Sequence, residues 1–171
     1  YLMCEVNLGG TAIGTGINAP VGYVAAVIPK LAELSGVPVT PAADMVAATP
    51  GRLISLGADE VDYAKSAGSM IVYIGHHGDK GAHAADVILP AAAFSEKPGT
   101  YVNTEGRVQL ADKAVFAPGD AREDWTILRA MADALGVSVG FDSFDGLRAA
   151  MAKAVPALGG EGLADYGALP K

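Results

Sequence analysis

The sequence predicts an α/β fold: a small doubly wound, mostly parallel sheet with a β-hairpin and C-terminal helices, preceded by a mainly helical N-terminal segment. Three observations carry that expectation. Short apolar runs at residues 53–56, 70–74 and 87–89 are each followed by glycine or proline, as buried parallel strands are. About a dozen mixed residues separate the first two runs, near the minimum for a crossover between parallel strands. Residues 101–110 flank an Asn103-Thr-Glu-Gly106 turn whose glycine can take positive φ, which reads as a hairpin.

The elements follow in order. Residues 7–18 (NLGGTAIGTGIN) are rich in glycine and small side chains. Pro20 suits the first turn of a helix, because its missing N–H has no partner to lose there. Val24, Val27, Ile28 and Leu31 continue at helical spacing to a stop at Gly36, with a kink expected at Pro29. Pro38, Pro41 and Pro50 then punctuate a linker, which divides the chain into a helical, glycine-rich segment at 1–49 and an α/β domain at 50–171. After the three strands and the hairpin, Asp120 and Glu123 stand three apart, as in a capping box. The helix they open, residues 121–135, should bury Trp125 and Leu128 against the core and stop at Gly136. A second helix follows from Phe144, with Leu147 and Met151 on its inner side. From Pro156 the tail is glycine-rich and poor in large apolar side chains, so fraying is expected.

Composition narrows the function. A hydrophobic fraction of 51% with 18% charged residues suits a packed core and argues against disorder. The net charge of −7, with no block of lysines and arginines, argues against nucleic acid, whose backbone needs several phosphates neutralised. The single cysteine, Cys4, excludes an internal disulfide and a four-thiolate iron–sulfur cluster. No apolar run is long enough to span a bilayer, so no direct membrane insertion is expected. A chain opening on Tyr1 rather than Met reads as a fragment or excised domain.

One continuous run, GHHGDKGAHAADVILPAAAFSEKPGTYVNTEGRVQ at residues 75–109, is the most informative part of the chain. Its pieces ADVILPAAAF (85–94) and EKPGTYVNTEGRVQ (96–109) resemble the molybdopterin-oxidoreductase domain. LGADEVD (56–62), YIGHHGDKGAHAADVILP (73–90) and PGDAREDWTILRA (118–130) resemble more particularly the C-terminal part of the large iron–sulfur subunit of NADH:quinone oxidoreductase, respiratory complex I. That resemblance covers roughly residues 50–171 and implies a structural segment without its own cofactor. The iron–sulfur clusters of the family protein would lie outside it, and its partners would be other subunits of the peripheral arm. The implied location is the cytoplasmic side of the bacterial inner membrane. Residues 5–49 are instead similar to the aspartase/fumarase lyases, through EVNLGGTAIGTGINAPVGY and LAELSGVPVTPAADMVAAT. That likeness would set Thr11 and Thr15 near an anionic substrate, yet the lyase loop that supplies the base is missing from the chain.

The chemistry-bearing clusters give few candidates. His76, His77, Asp79 and His83 have metal-ligand chemistry, but adjacent histidines point different ways and no cysteine is near. Hence no metal site is expected. Gly9, Gly10, Gly14 and Gly16 lack the Lys-Ser/Thr pair of a phosphate loop and the spacing of a dinucleotide fingerprint, so they read as close helix packing. Glu123, Asp124 and Arg122 read as helix-terminal electrostatics rather than an acid–base pair. Ser95, His83 and Asp86 have no nucleophile elbow, and no catalytic residue is expected. If a pterin dinucleotide is bound, the resemblance places it at His76, His77, Gly99, Thr100, Asn103 and Arg107. An active molybdopterin-dependent oxidoreductase domain is therefore the rival reading, with a lyase fragment behind it.

Overall fold

The computed structural model describes residues 2–4, 6–8, 11–13, 47, 51–58, 62–78, 80–102, 107–154, 156–160 and 162–163. Its strands β1 (Leu2–Cys4), β2 (Val6–Leu8), β3 (Thr11–Ile13), β4 (Arg52–Leu56), β5 (Met70–Gly75) and β6 (Val87–Pro90) come first along the chain. Four of them form a parallel sheet in the order β1-β4-β5-β6, and β2 pairs antiparallel with β3. The three expected strands are thus present, each within one residue of its expected limits.

Register decides what the sheet buries. Leu53 lies opposite Ile71 and Ser55 opposite Tyr73, so these four side chains share one face, and all are buried. A short 3-10 turn, Tyr63–Ser66, and the end of helix α1 (Lys80–Ala84) cover that face, with Ala58, Tyr63, Ala84 and Ala85 packed there. Ser55 is polar, so its burial requires partners. Its hydroxyl donates to the Ala58 carbonyl at 3.0 Å and lies 2.6 Å from the Tyr63 hydroxyl, which also bonds the Ala58 carbonyl. This knot ties the exit of β4 to the crossover. Asp86 performs a similar service at the start of β5. Its carboxylate accepts the Ile71 N–H at 2.8 Å, and its own N–H donates to the Ile71 carbonyl at 2.9 Å.

The hairpin is also present, as β7 (Gly99–Val102) and β8 (Arg107–Ala111), paired from Gly99–Ala111 to Val102–Val108. Helix α2 (Asp124–Ala134) and helix α3 (Phe144–Ala154) complete the C-terminal part. Gly136, at φ 72°, ends α2 as expected. Its N–H donates to the Asp133 carbonyl at 3.0 Å and the Val137 N–H to the Ala132 carbonyl at 2.9 Å, the double bond of a Schellman stop. Ser143 caps α3, its Oγ accepting the Gly146 N–H at 3.1 Å.

Five expectations need correction. The described residues before position 14 are strands, not helix; β1 finds a free edge on β4, and that pairing outweighs a weak local preference. The expected helix across residues 24–31 lies outside the described residues. The third strand, β6, is not buried: it stands at the end of the sheet order, where Val87 and Ile88 lack cover and stay exposed. Asp120 does not cap α2. It is 97% exposed and leans toward Arg122, while Glu123 holds the N-cap position and its side chain accepts the Trp125 indole N–H at 2.7 Å. Trp125 and Leu128 are only half-buried, and α2 buries no residue completely. Finally, the tail does not simply fray after Pro156. It forms a 3-10 turn, Pro156–Leu158, and then β9 (Gly162–Leu163), which pairs antiparallel with β8 at Arg107 and Val108. An open edge of β8 supplies the backbone partners that glycine-rich composition alone does not reveal.

Candidate functional site

The carboxyl ends of parallel strands are where α/β sheets gather ligands. Here β5 ends at Gly75 and leads directly into His76 and His77. Beside it, β6 passes through Ala91 and Ala92 into a tight turn. The Ala91 N–H donates to the Gly75 carbonyl at 2.9 Å, and that of Ala92 to the Arg122 carbonyl at 2.7 Å, which draws the start of α2 alongside. The turn is fixed by Glu96, whose carboxylate accepts the Ala93 N–H at 2.9 Å while its own N–H returns to the Ala93 carbonyl at 2.9 Å. Lys97, the next residue, forms a half-buried ion pair with Asp124 in the first turn of α2. Asp124 also complements the positive end of that helix.

These elements flank His76. Partial burial lowers its pKa from the ordinary value near 6.5, and the neighbouring His77 and the Lys97 ammonium push the same way; Asp124 and Glu96 oppose them. Its ring lies 4.2 Å from that of His77, centroid to centroid. His76 is therefore harder to protonate than a free imidazole, and it lies beside an ion pair that is already satisfied.

The six residues expected around a pterin dinucleotide are placed as follows. His76 and His77 follow the end of β5 with much of their surface exposed, Gly99 and Thr100 open β7, and Arg107 opens β8 opposite Leu163. Asn103 lies outside the described residues, as does Asp79. Thr100 Oγ1 is buried with no hydrogen-bond partner among the described residues. Of the clusters expected to be silent, His83 is exposed on α1 and Asp86 is bound to Ile71, while the Ser95 carbonyl accepts the N–H groups of Ala114 and Val115. No three His, Cys, Asp or Glu residues come together among the described residues. No helix among them is long and apolar enough to cross a membrane.

Two features of the site were not anticipated from the sequence. Lys97 pairs with Asp124, a contact with no local signature. The two glycines of the site are also roofed by tyrosines. A Cβ built on Gly75 would collide with the Tyr73 ring, and one on Gly99 would meet the Tyr101 ring at 2.7 Å. The available signal is a tyrosine two residues from a glycine on one strand, hence on the same face. A dinucleotide needs open glycine backbone and spare cationic groups for its phosphates. Among the described residues, both glycines are roofed and Lys97 is paired with Asp124, so neither offers its group to a phosphate.

The arrangement defines a doubly wound α/β domain whose strand-end site is polar but internally engaged. The family model for molybdopterin oxidoreductases matches residues 10–134. The chain belongs to the molybdopterin oxidoreductase family. It is 50% identical over 121 residues to the mitochondrial NADH-ubiquinone oxidoreductase 78 kDa subunit of Neurospora crassa, covering 69% of this chain and 16% of that protein. It is also 50% identical over 103 residues to the NADH-ubiquinone oxidoreductase 75 kDa subunit of Reclinomonas americana, covering 60% and 15%. A third relative, an NADH-quinone oxidoreductase subunit of Rickettsia felis, is 50% identical over 98 residues, covering 57% and 15%. The chain thus spans only 15–16% of the length of these curated relatives. The likeness of residues 5–49 to lyases finds no support: the family match runs through most of that segment, and none of these relatives is a lyase.

Proposed function

We propose that this chain is a structural, cofactor-free segment of an NADH:quinone oxidoreductase subunit. The whole protein would pass electrons from NADH toward quinone through iron–sulfur clusters held outside the segment. Identity of 50% over 121 residues with a subunit of that enzyme carries the reading. The roofed glycines and the Lys97–Asp124 pair support the cofactor-free part of it, since each occupies a group that a dinucleotide would use. The segment then contributes shape and contacts to neighbouring peripheral-arm subunits, on the cytoplasmic side of a bacterial membrane. Metal analysis, an absorbance spectrum and pterin fluorescence of the purified chain test this directly. The expected result is no iron, no molybdenum and no pterin; visible iron–sulfur bands or stoichiometric pterin would sink it.

One observation favours the rival, an active molybdopterin-dependent domain: the buried hydroxyl of Thr100, without a partner among the described residues, is a group that a ligand could satisfy. The same pterin measurement decides between the two. The division of the chain near residue 50 is likewise a proposal. Limited proteolysis that cut near Pro50 and left residues 50–171 folded would favour it. Such a cut would have to spare or dispense with the pairing of β1 on β4, which joins residues from both sides.

A further inference from the structure

We infer that Tyr73 and Tyr101 close the strand-end site from within, each ring holding the space through which a nucleotide-bearing ligand would reach the backbone. This rests on the cofactor-free reading above and gives it a physical cause. Glycine at a strand end has two common uses: to adopt positive φ, or to let another group approach the backbone closely. Gly57, Gly68, Gly119, Gly136 and Gly140 serve the first use, all having positive φ and nothing within 4 Å of a built Cβ. Gly75 and Gly99 are different. Neither has positive φ, and in both the approaching group is the chain's own tyrosine, two residues away along the strand.

The two closures differ in firmness. Tyr73 is 1% exposed, and its hydroxyl donates to the His77 carbonyl at 3.2 Å, so the ring also fastens the loop that leaves β5. Tyr101 is 41% exposed and forms the looser cover. The Lys97 ammonium, which acts on His76, is already neutralised by Asp124. Removing the rings would expose the backbone while Lys97 stays paired with Asp124, so the recovered affinity should be weak.

The probe is guanosine diphosphate, read by amide chemical shifts of the full chain. The wild type should show no shifts at Gly75, His76, Gly99 or Thr100. A Tyr73→Leu/Tyr101→Ala variant should show saturable shifts at those amides, Leu being chosen to keep apolar volume in the core. A variant that keeps its dispersed spectrum yet shows none overturns the inference and leaves the cofactor-free reading standing. If Tyr73→Leu does not fold, Tyr101→Ala alone is read at Gly99 and Thr100, with the same two outcomes. Saturable binding by the wild type would overturn the inference, and stoichiometric pterin in the purified wild type would overturn the reading beneath it.

Discussion

The parallel sheet and the C-terminal helices hold themselves together in different ways. In the sheet, Leu53, Ser55, Ile71, Tyr73 and Ile74 are buried, and the serine hydroxyl among them is bonded. In α2 no residue is buried; the helix is held by ties at its ends and along one side. Lys97 reaches Asp124, Trp125 packs obliquely on Phe141 at 6.4 Å, and Arg129 bridges Asp133 at 3.0 Å and also binds Asp142. Burial stabilises the sheet, whereas α2 depends on a few polar contacts that solvent weakens. The candidate site lies on the seam between the two regions, so its geometry inherits the firmness of one and the looseness of the other.

The sharpest test sets the regions against each other. Leu53→Ala should cost about 3 kcal/mol in urea denaturation, against about 1 kcal/mol for Leu128→Ala, because only the first leaves a closed cavity. Equal costs would break the contrast. Next comes Gly75→Ala, which should cost about 2 kcal/mol by forcing the buried Tyr73 ring aside. In a Tyr73→Leu background that cost should shrink; an unchanged cost would mean the ring is not what requires glycine. Across the seam, Lys97→Met and Asp124→Asn should each lose about 1 kcal/mol, with the double variant losing little more than either. Simple additivity would show that the pair does not couple.

A pH dependence is the weakest signal of the four. His76 has its folded pKa below its ordinary value, so the unfolded chain takes up the proton first as pH falls. Stability should therefore be unaffected by this group above about pH 6.5 and decline modestly as pH drops below it. His76→Gln should reduce the fall in melting temperature between neutral and mildly acidic pH. A larger fall in the variant would reverse the sign and contradict the environment described for His76.

What could be read from the residues alone were the elements whose signals are local. Apolar runs closed by glycine or proline mark β4, β5 and β6, since parallel strands covered by crossovers tend to be continuously apolar. Gly136 marks the end of α2, because glycine takes left-handed φ at least cost. The order of short motifs points to the family. Everything that depends on distant residues meeting had to come from the folded chain. β1 and β9 owe their strand partners to it, because an open sheet edge accepts backbone of almost any composition. The exposure of β6 has the same origin, since an apolar run does not say which strand ends the sheet. α2 stays half-buried because periodicity states which face is apolar and not how much protein lies against it. Lys97 meets Asp124, 27 residues away, and Tyr73 turns onto Gly75. Charge and ring position are fixed there by packing in three dimensions, and that packing is what makes the site closed rather than merely polar.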